Sequence, residues 1–179
     1  MTRKPVAVID MGSSAIRMVV AEIDDEGSWQ RLDRAGKPIS LGRDVFLTGY
    51  LSGESMRQAI KILAGFREVL DGWQVPEEDV RVIATSAIRE AKNRDTFLDR
   101  VYIRTGLKID IVEGVEENHL TYLAVRQSVS SLLPQFSRSN ALIIEVGAGT
   151  TEIMMLQRGK MVAAHSLRIG TVRIEQLVR

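Results

Sequence analysis

The stretch VAVIDMGSSAIRMVVAEI, Val6 to Ile23, decides how this chain is read. Two apolar runs, 6–9 and 16–23, have the composition of strands. Between them lie one acid, Asp10, and a turn of small residues, Gly12-Ser13-Ser14. A second stretch far downstream, ALIIEVGAGTTEIMMLQRGK from Ala141 to Lys160, repeats the pattern. With Asp10 set over Glu145, Gly12 falls over Gly147, Ser13 over Ala148 and Ser14 over Gly149. Met18, Val19 and Val20 then fall over Ile153, Met154 and Met155. Self-similarity of this kind points to two related subdomains.

The residue types suit phosphate and a divalent cation. Small residues let backbone N–H groups approach an anion, and a turn of successive N–H groups makes an anion-binding concavity. A carboxylate at a strand end can hold Mg²⁺ directly or through water. Two such turns facing each other would take a polyanion with its cation. The plainer reading is that an Asp-x-Gly between strands is only a hairpin turn. Its recurrence at an equivalent place weighs against that reading.

Working outward, 29–41 reads as a third strand and 44–53 as a loop. Residues 54–70 carry Met56, Ile60, Leu63, Phe66 and Leu70 at helical spacing, with Ser52 as N-cap. A short strand at 80–84 is followed by helical patterns at 86–91 and 96–104, the latter stopped by Gly106. A strand at 108–112 leads to a helix at 115–133, closed by Pro134. Strand patterns resume at 142–146, 151–157 and 161–167, and a helix starts near Val172.

Composition narrows the function classes. The 179 residues are 45% hydrophobic and 26% charged, ordinary for a globular protein, with a net charge of +1. No global field argues for nucleic acid or an anionic membrane. The absence of cysteine removes disulfides, thiolate catalysis and Cys-ligated zinc. Two histidines, His119 and His165, do not make a His-rich metal site. No apolar run approaches the roughly 18 residues of a membrane span. Asp10 interrupts the stretch after the basic start, which argues against a signal peptide. The expectation is a cytoplasmic protein.

The residues also resemble a known family. Val6 to Ile23 is similar to the first phosphate motif of the acetate and sugar kinase/Hsp70/actin superfamily. VIATSAIREAKNRDTFL (Val82 to Leu98) resembles the ATSA-x-REA-x-N segment of the exopolyphosphatase/guanosine pentaphosphatase (Ppx/GppA) family. IDIVEGVEENHLTYLAV (Ile109 to Val125) resembles its strand followed by Gly-x-Glu-Glu. IIEVGAGTTE (Ile143 to Glu152) resembles its second phosphate motif, usually DIGGGSTE. LGRDVFLTGYLSGESM and SLRIGTVRIEQ match two further segments. The resemblance runs in order along essentially the whole chain. It implies an α/β, actin-like ATPase (ribonuclease H-like) fold, with a mixed sheet, helices and duplicated subdomains. The first subdomain would span 1–133. The second would begin at 139 and, in the family, continue beyond Arg179, so that it is incomplete here.

The resemblance implies Mg²⁺-dependent hydrolysis of a terminal phosphoanhydride, in inorganic polyphosphate or a guanosine penta- or tetraphosphate. Glu117 matches the catalytic glutamate that activates water; read alone, Glu116 and Glu117 merely complement a helix dipole. Gly12, Ser13 and Ser14 with Arg17, and Gly147, Ala148, Gly149 and Thr150, fall in the two phosphate motifs. Thr85, Ser86 and Arg89 would bind phosphate at a strand-to-helix junction; read alone, Ser86 is an N-cap and Arg89 a solvated helix position. Asn93 fixes a local turn. Asp10, Glu145 and Glu152 are the expected ligands of Mg²⁺ or its waters, and His119 and His165 are ordinary polar positions. Five positions depart from the family pattern. Glu145 replaces Asp, Ala148 replaces Gly, Ser14-Ala15 replaces Asn-Ser, and Ser40 replaces Arg. Two functions follow: a hydrolase, or a module that binds the same ligands without turnover. Expected partners are the phosphate ligands, with no nucleic acid and no membrane, and a homodimer left open.

Overall fold

The computed structural model describes residues 2–129, 135 and 138–178. They form two compact units, Met1–Ile111 and Val112–Arg179.

In the first unit, strands β1 (Arg3–Met11), β2 (Ala15–Asp24) and β3 (Trp29–Pro38) form an antiparallel meander. Helices α1 (Leu41–Thr48) and α2 (Gly53–Gly72) follow. Then come β4 (Val80–Ala84), α3 (Ser86–Glu90), α4 (Arg94–Thr105) and β5 (Ile109–Ile111). The sheet order is β3-β2-β1-β4-β5, with β4 parallel to β1 and β5 parallel to β4. Period-two alternation sorts β1 and β2 into two faces. Ala7, Ile9, Met11, Ile16, Met18 and Val20 are buried on one face, while Val8 and Val19 on the other are 45% and 36% exposed. The buried face shares a core with Met56, Ala59, Leu63, Phe66 and Leu70, the apolar stripe of α2. Each such side chain contributes about 1.5–3 kcal/mol of burial. Ser52 caps α2 as expected, its hydroxyl accepting from the Ser55 N–H at 3.1 Å.

The segment expected to be a loop from Asp44 onward instead begins inside α1, and β3 stops at Pro38. Leu41 and Val45 lie one helical turn apart and sink into the core, where they outweigh the turn-like Asp44, Thr48 and Gly49. Gly49 ends the helix in the left-handed conformation (φ 79°), its N–H bonding Val45 O at 2.8 Å. Asn93, expected to fix a local turn, does longer-range work. Its side-chain amide accepts from Leu51 N–H and donates to Leu51 O, both at 2.9 Å, and so ties the α1–α2 link to α4.

Asp44 holds the same link from the other side, accepting from the Ser52 N–H at 3.0 Å. Partial burial pushes its carboxyl up, but the hydroxyls of Ser52 and Ser55, the Ser52 N–H and the charge of Arg43 outweigh this and hold it below its ordinary value. A lowered folded value means that the ionised carboxylate adds stability at neutral pH. That contribution is complete above the unfolded value of about 4 and is lost as pH falls through the folded value. The stability gap between wild type and Asp44→Asn should therefore be constant above about pH 5 and shrink in more acid solution. Urea unfolding from neutral to acid pH measures it; a gap that widens on acidification contradicts it.

In the second unit, α5 (Gly114–Ser128) precedes β6 (Asn140–Val146), β7 (Thr151–Gln157), β8 (Lys160–Leu167) and α6 (Thr171–Val178). The three strands are an antiparallel meander in chain order. Helix α5 packs on β7 and β8 and so belongs to this unit, whereas the sequence division placed it with residues 1–133. The expected helix end at Pro134 lies outside the described residues. Met154 and Leu156 are buried on one face, and Leu142, Ile144 and Val146 point to the opposite, exposed face.

The repeat read from the sequence is present in the backbone. Asp10 pairs with Arg17 and Met11 with Ile16; 135 positions on, Glu145 pairs with Glu152 and Val146 with Thr151. The Gly12 N–H bonds Ala15 O at 3.0 Å, and the Gly147 N–H bonds Thr150 O at 2.8 Å. Each meander is followed by a helix whose first residues donate to the turn. Gly42 N–H bonds Ser13 O at 2.8 Å, and Val172 N–H bonds Ala148 O at 3.0 Å.

Candidate active site

In the first unit, strand order gathers the candidate residues at one end of the sheet, where the interior strands β1 and β4 finish. Parallel pairing of Met11 with Ala84 ends β1 and β4 together, so the Gly12-Ser13-Ser14 turn lies beside Thr85 and Ser86. The Ser13 and Ser86 hydroxyls are buried and 3.2 Å apart, and the Thr85 N–H reaches Met11 O at 3.4 Å. Thr85, not Ser86, is the residue that caps α3, and its side chain makes no capping bond. Ser86 is spent on Ser13 instead. Arg89 follows one turn on, half-buried, with its N–H on Thr85 O at 3.0 Å. Asp10 and Arg17 are opposite on the β1–β2 ladder and form a surface ion pair at 3.7 Å. Such a pair is worth little by itself.

The second unit carries the other set. Glu145 and Glu152 occupy one rung of the β6–β7 ladder, directly before and after the Gly147-Ala148-Gly149-Thr150 turn. Like charges directly opposite repel. Glu152 is 4% exposed. Its Oε1 accepts from the Ser166 hydroxyl at 2.6 Å, while its Oε2 is buried without a hydrogen-bond partner. Glu145 is exposed and accepts from Thr121 Oγ1 of α5 at 2.8 Å. Glu117 stands one turn before Thr121 on the same helix, half-buried, its N–H on Glu113 O at 2.9 Å. Asn118 beside it is buried, with Oδ1 unsatisfied. His119 lies 6.5 Å from Tyr122 between ring centroids, and His165 stands on β8 opposite Ile153.

Neither turn uses left-handed glycine: among the described residues, positive φ occurs at Gln74, Arg158, Gly27, Gly49, Gly106 and Gly159. Ala148 in place of Gly therefore carries no backbone strain. Helix α6 grips the second turn along its length. The Thr171 N–H bonds Gly147 O at 3.0 Å, the Val172 N–H bonds Ala148 O at 3.0 Å, and Arg173 Nε bonds Gly149 O at 2.8 Å. This contact explains Gly170, whose Cβ, were it present, would collide with the Ala148 carbonyl and come within 2.5 Å of Gly149 N.

Among the described residues, no three carboxylate, histidine or cysteine side chains cluster as a ready-made metal cage. A two-carboxylate rung with an unpartnered buried oxygen still fits Mg²⁺. That ion keeps several waters and takes one or two carboxylates, its remaining ligands coming from substrate phosphates. Ser166 and Thr121, which orient the two carboxylates, lie inside family-like segments but were not singled out as site residues in the sequence.

The chain was compared with known proteins. The family model described as the Ppx/GppA phosphatase family matches residues 19–179. A guanosine-5'-triphosphate,3'-diphosphate pyrophosphatase of Photobacterium profundum is 31% identical over 177 residues, covering 96% of this chain and 34% of that protein. A bifunctional 3-dehydroquinate synthase/phosphatase of Fusobacterium nucleatum is 28% identical over 174 residues, covering 95% of this chain and 26% of that protein. The crystal structure of an exopolyphosphatase from Cytophaga hutchinsonii superposes with a TM-score of 0.85 at 23% identity, covering 97% of this chain and 53% of that one. At that identity the last match speaks to fold alone. The fold is the mixed α/β, actin-like one. The chain spans about a quarter to a third of the length of these curated relatives.

Proposed function

We propose a function from this premise: the chain belongs to the Ppx/GppA phosphatase family. The reading is hydrolysis of a terminal phosphoanhydride, in inorganic polyphosphate or guanosine pentaphosphate, by the whole protein. Water attacks the terminal phosphorus, the bond to the bridging oxygen breaks, and orthophosphate leaves the shortened chain. Glu117 takes the proton from the attacking water. In the first unit Gly12 closes the turn, and Ser13 and Ser14, with Ser86 buttressing Ser13, would offer donors to phosphate oxygens. In the second unit Gly147 closes the turn, and Ala148, Gly149 and Thr150 would offer them. Arg89 and Arg17 add positive charge toward the polyanion. Glu145 and Glu152 would hold Mg²⁺ in the second unit, and Asp10 is the corresponding candidate in the first. Mg²⁺, when bound, would neutralise charge on the phosphoryl oxygens. Ser166 and Thr121 orient the two acidic side chains.

One observation carries this reading: Glu152 is a buried carboxylate with an unpaired oxygen, opposite a second carboxylate and beside a turn of backbone donors. Two carboxylates on one rung repel, and a cation between them would relieve that repulsion. Among the described residues no helix is long and apolar enough to cross a membrane. A cytoplasmic site of action fits the cysteine-free chain.

The test is phosphate release by the whole protein from inorganic polyphosphate and from guanosine pentaphosphate, with and without Mg²⁺. Release that requires Mg²⁺ is the expected outcome, and the better substrate names the class. Tight binding of either compound without release would favour the alternative, a binding module, for which the replacements at Glu145 and Ala148 speak.

A further inference from the structure

Helices α2 and α4 pack side by side in the first unit and leave a groove of about 580 Å³ on their outer side. Its walls carry four cations, Arg57 and Lys61 from α2 and Arg100 and Arg104 from α4. On each helix the two cations are four residues apart, so they stand one turn above each other. The floor is apolar, formed by the half-buried Ile60 and Ala64, and Ile103 stands at the rim, 79% exposed. No acid lines the groove. Among the described residues none of the four cations makes an ion pair. Arg100 instead directs Nη1 at the Met56 sulfur, 3.7 Å away. The contrast lies on the same helix, where Arg67 pairs with Asp71 at 2.8 Å. Farther along α2 the charges are thus paired, as on an ordinary solvated helix surface, and around the groove they are not.

We propose that this groove docks an acidic amphipathic helix of a separate polypeptide. A groove between two packed helices is the seat of a third. Two rows of cations around an apolar floor complement a stripe of Leu, Ile or Met flanked on both sides by Glu or Asp. A bare polyanion would satisfy the charges and leave Ile103 wet. A membrane surface would take the protruding Ile103 and leave the recessed Ile60 and Ala64 uncovered. None of the residues that line the groove is among those assigned to phosphate and Mg²⁺, so it serves recruitment or control, not chemistry.

The probe is a synthetic acidic helix with Leu at i, i+3, i+4 and i+7 flanked by Glu, titrated against the full chain by fluorescence anisotropy. Amide shifts should map it to α2 and α4. Affinity should fall as salt rises. It should drop about tenfold or more in Arg57→Glu/Arg104→Glu, and comparably in Ile103→Asp. These exposed sites leave the fold intact, which circular dichroism checks. A scrambled peptide of equal charge should bind much less. No binding, or equal binding of the scrambled peptide, overturns the proposal. So does tighter capture of phosphatidylserine vesicles or polyphosphate by the same four cations with Ile103→Asp without effect.

Discussion

Glu117→Gln should lower the phosphate-release rate of the whole protein by about 10²–10⁴-fold, the range for a positioned acid–base group. The amide keeps the shape of the side chain and removes its ability to accept the proton of water. Affinity for polyphosphate should hold or rise slightly, because one negative charge leaves a site proposed to hold a polyanion. The backbone bond from the Glu117 N–H to Glu113 O stays in place in the variant, and circular dichroism checks that α5 is intact. If Glu117 only complements the helix dipole, stability changes by less than about 1 kcal/mol and turnover survives. Steady-state rates and binding measured on the same preparation separate the two. Full activity of the variant would remove Glu117 from the chemistry and leave the family assignment intact.

Gly170→Ala should destabilise the second unit by about 1–3 kcal/mol and weaken phosphate binding through its turn. The new methyl group meets the Ala148–Gly149 peptide, backbone that cannot rotate away as a flexible side chain would. Relief requires α6 to lift, which breaks the bonds from Thr171 and Val172 to the turn carbonyls. Gly65→Ala supplies the contrast. It lies inside α2 with nothing within 4 Å of the added Cβ, and it should stabilise by about 0.5–1 kcal/mol. Urea unfolding of the two variants tests both signs. A Gly170→Ala protein as stable as wild type would mean that the close approach does not exist.

Much of this architecture was legible in the sequence because it is local. The apolar stripe of α2, its Ser52 cap, the stop at Gly106 and the two acid–Gly turns follow from spacing and residue type alone. Helix α1 was missed because its two anchors, Leu41 and Val45, sit among turn formers, and burial decided the outcome. Ser166 was missed for a different reason. Counting back from the Arg158-Gly159 turn, where Gln157 pairs with Lys160, would set His165 opposite Glu152. A bulge between Met155 and Leu156 shifts the ladder by one residue and brings Ser166 there instead. No composition rule announces that shift. Thr121 and Glu145 meet only because α5 lies on the β7–β8 sheet, a long-range contact that periodicity does not encode.

The hold of α6 on the second turn also bears on how quickly an anion can be received. Peptide bonds here are all trans, so each N–H points away from the carbonyl that precedes it. The carbonyls of Gly147, Ala148 and Gly149 are drawn toward α6 by Thr171, Val172 and Arg173. The amide hydrogens of Ala148, Gly149 and Thr150 are thereby turned to the opposite side before any ligand arrives. An incoming phosphate would find dipoles already aligned and would not have to rotate them, so the reorganisation energy of binding is met when the chain folds. Substitutions that loosen α6 should then show themselves in the barrier to anion capture, even where the final complex looks unchanged.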